Sequence, residues 1–252
     1  MRLLGPLDFV RFRRELLRTE RGNREFLEEH PDFVAPPKRW MFDAFGSTHY
    51  RAYFDQGAAY ARHLAGIINK YHPGERLRIC EWGCGPGRLL RHLPQLFEGR
   101  DARFTGTDYN PVTIEWCRRS IPGVNFLRND LNPPLPVEDA SFDVVYAISV
   151  FTHLSEDAHY RWVKEMRRAL KPGGILIASF HDFDDRLLPE HKALYQAGKI
   201  VVKDGVMEGS KLYVAYHPPS FLETLFGDFA TLEREAFLIP ECAQKFWVVR
   251  RP

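Results

Sequence analysis

The chain of 252 residues has few cysteines, no long apolar run and almost no net charge. Its four cysteines form no CxxC pair, so we expect neither a zinc ribbon nor a disulfide-stapled secreted domain. The amino-terminal stretch lacks the continuous apolar core of a signal peptide, and no segment reaches the length of a membrane span. These absences predict a reduced, cytoplasmic location.

Opposite charges nearly balance, with 35 Lys and Arg against 33 Asp and Glu. This balance gives no electrostatic case for nucleic acid, which would require a basic face. One local exception is the stretch 8–30, where six arginines lie among Phe9, Phe12, Leu16 and Leu17 at helical spacing. The pattern is typical of a solvated basic helix face, and the alternative is contact with an anionic membrane surface or an acidic partner.

The most specific segment of the chain is 77–93, LRICEWGCGPGRLLRHL. An apolar strand pattern ends at Glu81 and is followed by three glycines at alternate positions, Gly83, Gly85 and Gly87. Such glycines let the backbone turn sharply and approach a ligand without interference from Cβ atoms. The N–H groups of the following helix would face the bound group. The segment therefore predicts a nucleotide-like ligand.

Strand and helix patterns alternate from residue 77 onward, which is typical of a parallel sheet covered by helices on both faces. We predict a Rossmann-like three-layer α/β sandwich with a mostly parallel seven-stranded sheet and an antiparallel carboxy-terminal strand. Helical patterns before the first strand predict a helical cap over 1–74, ahead of a main domain over 75–252. The stretch 183–216 breaks the rhythm and predicts an insertion with a hairpin near the ligand-binding edge of the sheet. The predicted strands are 77–82, 103–107, 124–128, 142–149, 175–180, 228–238 and 245–250, and the predicted helices of the main domain are 88–97, 111–120, 156–170 and 220–226.

Two ligands compete for the glycine loop, a nicotinamide dinucleotide and S-adenosylmethionine. The spacing E-x-G-x-G-x-G departs from the GxGxxG fingerprint of dinucleotide sites, which disfavours an NAD(P)-dependent oxidoreductase. Asp108 ends the second strand, where a carboxylate can accept hydrogen bonds from the ribose hydroxyls of either cofactor. Asp130 follows the third strand and can accept a hydrogen bond from the exocyclic amine of adenine. Together these features favour S-adenosylmethionine.

The motifs ICEWGCGPGR, TDYN, NDL, FDVVYAISVFTHL and MRRALKPGGILIASF follow one another over 77–181. In this order they resemble the class I S-adenosylmethionine-dependent methyltransferases of the small-molecule kind, often called type 11 or 12. The resemblance implies S-adenosyl-L-methionine as cofactor and a small-molecule, sugar, glycan or natural-product acceptor. The cofactor-binding residues that it implies are Glu81, Gly83, Cys84, Gly85, Asp108, Tyr109, Asp130, Leu131, Ala147, Ile148 and Ser149, with Tyr53 and Gly57 on a helix that closes over the cofactor.

A hydroxyl acceptor needs a base to remove its proton during methyl transfer. His153, in the loop after the fourth strand, is the first candidate for this base. His181, at the end of the fifth strand, is the second, and His217 is the third. We expect Phe151 to line the acceptor pocket. Each side chain has the alternative of structural packing, and no metal site is predicted because acidic ligands are missing around the histidines.

Two further functions compete with a methyltransferase. A protein that binds S-adenosylmethionine without turnover is one, since an intact cofactor site does not prove catalysis. Methylation of nucleic acid is the other. It is disfavoured because the Asp/Asn-Pro-Pro-aromatic motif expected after the fourth strand is replaced by AISVFTH.

Overall fold

A computed structural model describes residues 6–203, 205–210, 212–236 and 244–252. Strands and helices alternate through the middle of the chain, as the hydrophobic pattern predicts. The strands are β1 (Arg76–Trp82), β2 (Asp101–Asp108), β3 (Val124–Arg128), β4 (Phe142–Ala147), β5 (Leu170–His181), β6 (Val201–Lys203), β7 (Val214–Tyr216), β8 (Ala230–Ala236) and β9 (Gln244–Arg250). The helices are α1 (Pro6–Glu29), α2 (Lys38–Phe45), α3 (Tyr50–Tyr71), α4 (Leu93–Leu96), α5 (Pro111–Ser120), α6 (Glu156–Ala169), α7 (Pro189–Gln196) and α8 (Pro219–Leu225). Short 3-10 turns cover Leu90–His92 and Phe151–His153.

Seven strands form one sheet in the order β3-β2-β1-β4-β5-β9-β8. Strands β1 to β5 are parallel, and β9 runs antiparallel to both β5 and β8. The predicted mostly parallel sheet with an antiparallel carboxy-terminal strand is therefore confirmed. The strand order reverses between β1 and β4. Ligands of open α/β sheets bind at such a reversal, beyond the carboxyl ends of the strands.

Helices cover both faces of the sheet and give the predicted three layers. Trp162 of α6 and Leu222 of α8 belong to the buried cluster on one face. Leu64 of α3 and Ile114 of α5 belong to the cluster on the other face. Burial of an apolar side chain of this size contributes about 1.5–3 kcal/mol, so these contacts fix the sheet that carries the site.

The helices α1, α2 and α3 pack on one another around an aromatic cluster that includes Phe26. Asn23 of α1 joins them, because its Nδ2 donates to the Thr48 carbonyl oxygen at 2.8 Å and its Oδ1 accepts from the Tyr50 N–H at 2.8 Å. Helix α3 also belongs to the core of the sheet. The division into a cap over 1–74 and a main domain stays a prediction.

The segment 88–97, predicted as one helix, is instead a 3-10 turn followed by the single α-helical turn of α4. Pro94 explains the difference. It has no N–H to donate, so it interrupts the hydrogen bonding of a continuous helix and is tolerated at the start of a new one. Helix α2 was not predicted either, since the prolines before it suggested a loop.

The insertion over 183–216 contains the predicted strand pair and one helix that was not predicted. Strands β6 and β7 pair antiparallel, with Val201 opposite Tyr216. Helix α7 precedes them. Residues 1–5 of the predicted cap, 204 and 211 of the insertion, and 237–238 of a predicted strand lie outside the described residues. Among the described helices, none combines the length and the apolar character that crossing a membrane requires.

Candidate functional site

The loop between β1 and α4 is anchored to the neighbouring strand β2. The N–H groups of Gly83 and Cys84 both donate to the Thr107 carbonyl oxygen, at 2.8 and 2.9 Å. Gly83, Gly85 and Gly87 have φ angles of +76°, +48° and +69°, in the left-handed region that favours glycine. The predicted sharp turn is therefore present at the carboxyl end of β1.

Two of these glycines also face side chains at close range. A Cβ atom on Gly83 would lie 2.4 Å from Val150 Cγ2, and one on Gly87 would lie 2.4 Å from Ile121 Cδ1. At Gly85 the nearest atom is Ala44 Cβ, at 3.7 Å. Gly83 and Gly87 thus let the loop pack closely, whereas the surroundings of Gly85 are more open.

Asp108 ends β2 and is directed at the glycine loop. Its Oδ2 accepts the Gly85 N–H at 2.9 Å, and its Oδ1 accepts the Asn110 N–H at 2.8 Å. Burial raises the pKa of this carboxyl, while the backbone N–H groups oppose the increase. A carboxylate offers about four lone-pair sites, so Asp108 can still accept a further donor such as a ribose hydroxyl.

The ends of β2 and β3 place the residues predicted around adenine. Tyr109 is 48% exposed, and the Leu131 carbonyl oxygen accepts from the Trp162 indole N–H at 3.1 Å. The side chain of Asp130 is 84% exposed and lies 3.7 Å from Arg128, so it points toward solvent and not toward a pocket.

Asn129, which was not among the predicted site residues, is buried between these groups. Its N–H donates to the Asp108 carbonyl oxygen at 3.1 Å, which holds it beside the end of β2. Its Oδ1 is buried and has no hydrogen-bond partner among the described residues. A buried acceptor without a partner is costly unless a ligand or water satisfies it. Its place next to Asp130 in the NDL motif is the signal that could have identified it.

Glu81 is buried beneath the loop. The Tyr146 hydroxyl donates to Glu81 Oε2 at 3.0 Å. Burial raises the pKa of Glu81 to about 8, and the hydrogen bond from Tyr146 only partly opposes this increase. The carboxyl is therefore largely protonated at pH 7 in this arrangement. Its predicted role near the methionine part of the cofactor stays a prediction.

The end of β4 has a strained backbone. Ala147 is fully buried, Ile148 is partly buried, and Ser149 has φ of +58° although it is not glycine. Strain of this kind persists only where the surroundings impose it, and it is frequent at functional sites. The surroundings here are polar: the Ser149 N–H donates to Ser179 Oγ at 2.8 Å, and Ser149 Oγ donates to Gln244 Oε1 at 3.0 Å.

Helix α3 supports the glycine loop from behind. The Tyr53 hydroxyl donates to the Pro86 carbonyl oxygen at 3.0 Å, and Tyr53 is fully buried. A Cβ atom on Gly57 would lie 2.4 Å from the Arg88 carbonyl oxygen, so only glycine allows this approach. The Cys84 thiol is buried as well. The contact of Tyr53 and Gly57 with the cofactor itself stays a prediction.

The first candidate base, His153, has a defined tautomer. Its Nδ1 lies 2.7 Å from the Tyr213 carbonyl oxygen, which can only accept, so Nδ1 carries the proton. Its Nε2 has no hydrogen-bond partner in the part of the chain that the structure describes. Burial lowers the pKa of His153.

The second candidate, His181, lies close enough to His153 for the two rings to interact electrostatically. Its Nε2 is 3.2 Å from Gln244 Nε2, so an amide hydrogen of Gln244 occupies that nitrogen. Burial lowers the pKa of His181. Of the two histidines, His153 has the nitrogen that is better placed to accept a proton.

Two further expectations about this side of the site change. His217 is 2% exposed, and its Nε2 lies 2.9 Å from His159 Nε2, so it is engaged in a buried pair and is not available to an acceptor. Phe151 does not line a pocket. It is fully buried and packs against Trp82 and Phe180, with ring centroids 5.2 and 5.3 Å away.

Comparison with known proteins assigns this arrangement to a family. Residues 79–174 match the family described as Methyltransferase domain. Phthiotriol/phenolphthiotriol dimycocerosates methyltransferase 1 of Mycobacterium ulcerans is 36% identical over 105 residues, 40% of this chain and 36% of the relative. Trans-aconitate 2-methyltransferase of Rhodopseudomonas palustris is 31% identical over 149 residues, 58% of this chain and 52% of the relative. The predicted resemblance to the class I S-adenosylmethionine-dependent methyltransferases is therefore confirmed.

Solved structures agree with this methyltransferase fold. DesVI of Streptomyces venezuelae superposes with a TM-score of 0.60 at 17% identity, over 87% of this chain and 100% of DesVI. The chain spans about a third to a half of the length of the curated methyltransferases named above. The matched methyltransferase domain decides between the two ligands considered for the glycine loop, and S-adenosylmethionine is confirmed as the cofactor.

The methyltransferase site fits this cofactor on its own geometry. Gly83 and Gly87 let the loop pack on the protein, and the more open surroundings of Gly85 leave its backbone accessible to a ligand. Asp108 offers carboxylate lone pairs at the end of β2, and Asn129 offers an unsatisfied amide oxygen beside it. These acceptors match the hydroxyl and amine hydrogens of an adenosine group.

Proposed function

We propose that the protein transfers the methyl group of S-adenosylmethionine to an oxygen atom of a small organic acceptor. The observation that carries this proposal is the hydrogen bond from His153 Nδ1 to the Tyr213 carbonyl oxygen at 2.7 Å. It fixes the proton on Nδ1 and leaves the Nε2 lone pair as a base. An acceptor hydroxyl needs such a base during transfer.

The class of acceptor is supported by the names of the relatives. They include a fatty-acid O-methyltransferase of Mycolicibacterium smegmatis, 35% identical over 105 residues, and the enzymes named for trans-aconitate and for phthiotriol dimycocerosates. These names favour small molecules with carboxyl or hydroxyl groups. Sugars and natural products are further candidate acceptors, because the sequence resemblance also implies them.

Different residues would bind the cofactor and remove the acceptor proton. Bound S-adenosylmethionine supplies an electrophilic methyl group on a positively charged sulfur. Gly83, Gly85 and Asp108 would hold its adenosine part, and Ser149 would border its methionine end. The main contribution of the protein is alignment of the acceptor with the methyl group. His153 Nε2 would take the acceptor proton, and it is free to do so at pH 7 because burial lowers its pKa.

The first experiment is calorimetry with S-adenosylmethionine, S-adenosylhomocysteine and NAD. We expect the first two to bind and NAD not to bind, and failure of S-adenosylmethionine to bind would refute the proposal. The second experiment incubates the protein with S-adenosylmethionine and a panel of fatty acids, tricarboxylates, hydroxylated lipids and sugars, and measures formation of S-adenosylhomocysteine. Binding without turnover across the panel would favour the non-catalytic alternative.

The role of His153 is tested by His153→Gln on any hydroxyl acceptor that emerges. We expect a loss of about 100-fold or more in turnover with unchanged affinity for S-adenosylhomocysteine, because only proton removal is lost. The wild-type rate should rise with pH through a pKa below 6.5 and then level off, since the neutral imidazole is the active form. An acceptor carboxylate, which carries no proton, should be methylated by the variant nearly as fast as by the wild type.

We also propose a surface partner for α1, in line with the alternative stated for its arginines. Val10 and Leu17 are 61% and 74% exposed on its outer face. Arg13 and Arg14 are exposed beside them and have no ion-pair partner among the described residues. Exposed apolar side chains flanked by free cations fit an anionic membrane surface.

A further inference from the structure

A short turn in the insertion, residues 207–210, lies against the residues predicted to flank adenine. The Tyr109 hydroxyl donates to the Gly209 carbonyl oxygen at 3.3 Å. A Cβ atom on Gly209 would lie 2.7 Å from Leu131 Cδ1, so the backbone of the turn approaches Leu131 as closely as only glycine permits. Gly209 also has φ of +78°. One residue of the 207–210 turn thus touches both sides of the predicted adenine position.

The same turn holds the segment that carries the proposed base. The Gly209 N–H donates to the His153 carbonyl oxygen at 2.9 Å. Glu208 Oε1 accepts the Ser155 N–H at 2.5 Å, two residues beyond His153. The Tyr213 N–H donates to the Ser210 carbonyl oxygen at 2.9 Å, and the Tyr213 carbonyl oxygen in turn accepts from His153 Nδ1. Both the backbone and the ring of His153 are therefore positioned by the turn and the residues that follow it.

We propose that the 207–210 turn forms the outer wall of the adenosine pocket and makes the position of His153 depend on cofactor binding. The proposal rests on the proposed function, because the pocket and the base are part of it. A ligand shifts a conformational equilibrium only through contacts that differ between the states. Adenine between Tyr109 and Leu131 would contact the wall only when the turn is closed. Without the ligand the turn has little apolar burial of its own, since Met207 is 58% exposed, and segments of this kind open most readily.

Hydrogen exchange measures the first half of this inference. In the wild-type protein, S-adenosylhomocysteine should slow exchange of the Gly209 and Tyr213 amides, because their hydrogen bonds would open less often. Calorimetry on Gly209→Ala should show affinity for S-adenosylhomocysteine lowered about tenfold, since a side chain is strained at positive φ and collides with Leu131. Tyr109→Phe keeps the ring and loses one hydrogen bond, so it should lower the affinity for S-adenosylhomocysteine by less than tenfold.

Gly123→Ala is the matched control for Gly209→Ala. Gly123 has φ of +74°, and a Cβ atom there would meet no described atom within 4 Å. This variant has the same backbone strain at a distant loop, so it should bind S-adenosylhomocysteine as the wild type does. A loss of affinity common to both variants would mean that general destabilisation is responsible, and would overturn the proposal.

The coupling to His153 has its own measurement. The His153 imidazole proton resonance, assigned with His153→Gln, should shift when S-adenosylhomocysteine saturates the wild type. It should not shift to the same position in Gly209→Ala at saturating ligand. A wild type that binds S-adenosylhomocysteine without slower exchange at Gly209 and Tyr213 would overturn the proposal and leave the proposed function standing. So would a His153 resonance that shifts in Gly209→Ala as it does in the wild type. A wild type that does not bind S-adenosylhomocysteine would overturn both.

Discussion

Replacement of Gly83 by alanine tests the geometry of the glycine loop most directly. The φ angle of +76° disfavours any residue with a Cβ atom, which costs about 1–2 kcal/mol. The new Cβ would also lie 2.4 Å from Val150 Cγ2, and overpacking of this kind costs about 1–3 kcal/mol more. We therefore expect Gly83→Ala to lower the free energy of unfolding by about 2–5 kcal/mol.

Two companion variants separate these terms. Gly123→Ala has nearly the same φ and open space around its Cβ, so it should lose only the backbone part, about 1–2 kcal/mol. Val150→Ala removes the methyl groups that the new Cβ would meet. The double variant Gly83→Ala/Val150→Ala should therefore lose less free energy of unfolding than the two single variants lose together. The coupling energy should be about 1–3 kcal/mol, the size of the steric term.

The assay is urea unfolding of the four variants and the wild type, followed by calorimetry with S-adenosylhomocysteine. Because the loop turns at Gly83 beside the proposed ligand, affinity should fall in Gly83→Ala and recover in part in the double variant. Additive losses, or a Gly83→Ala no less stable than Gly123→Ala, would show that the contact with Val150 does not constrain the loop.

Three further predictions concern other parts of the molecule. The pKa of Glu81 is about 8 in the folded chain, against an ordinary value of 4.5. Between these pH values the folded protein holds a proton that the unfolded chain has lost. The free energy of unfolding of the wild type should therefore fall as pH rises, by up to about 1.4 kcal/mol per pH unit. Glu81→Gln should lose this part of the pH dependence in urea unfolding, and an unchanged slope would contradict the buried position. Asn129→Ala should weaken the binding of S-adenosylhomocysteine but not of its inosine analogue, which lacks the exocyclic amine. If Asp130→Ala showed this selectivity instead, Asp130 would be the residue that binds the amine. Arg13→Glu/Arg14→Glu should abolish sedimentation with phosphatidylglycerol vesicles at low salt, and retained binding would contradict the proposed surface.

The glycine turn and the position of Asp108 were predictable because their signals are local. A glycine at positive φ and a carboxylate at the end of an apolar strand can each be identified within a few residues. The order of β1 to β5 then brings those strand ends to one edge of the sheet. The sequence thus predicts that the glycine loop and Asp108 lie at the same sheet edge, where Asp108 accepts the Gly85 N–H, and contact of either with the cofactor stays a prediction.

Other contacts of the site were less predictable because they join residues far apart in sequence. Gly209 and Leu131 are 78 residues apart, and nothing near either residue indicates that they meet. Phe151 follows the fourth strand like a pocket residue, but the preference of a large aromatic ring for the core decides its place. His217 looked available to an acceptor until its partner, 58 residues away, was known.

The same distinction explains why one fold can hold a constant cofactor beside changing acceptors. The groups around the adenosine position, Asp108, Asn129 and the glycine loop, are joined by short backbone hydrogen bonds within and between parallel strands. His153 is held by Tyr213 and Gly209 of the insertion over 183–216, and Gln244 at the start of β9 contacts the neighbouring His181. Under the proposed function, changes in the insertion would alter the acceptor side while the strand ends stay in place, because its described strands β6 and β7 form a separate two-stranded sheet. The exception is the 207–210 turn, which contacts both sides and is therefore where a change in acceptor would also be measurable as a change in cofactor affinity.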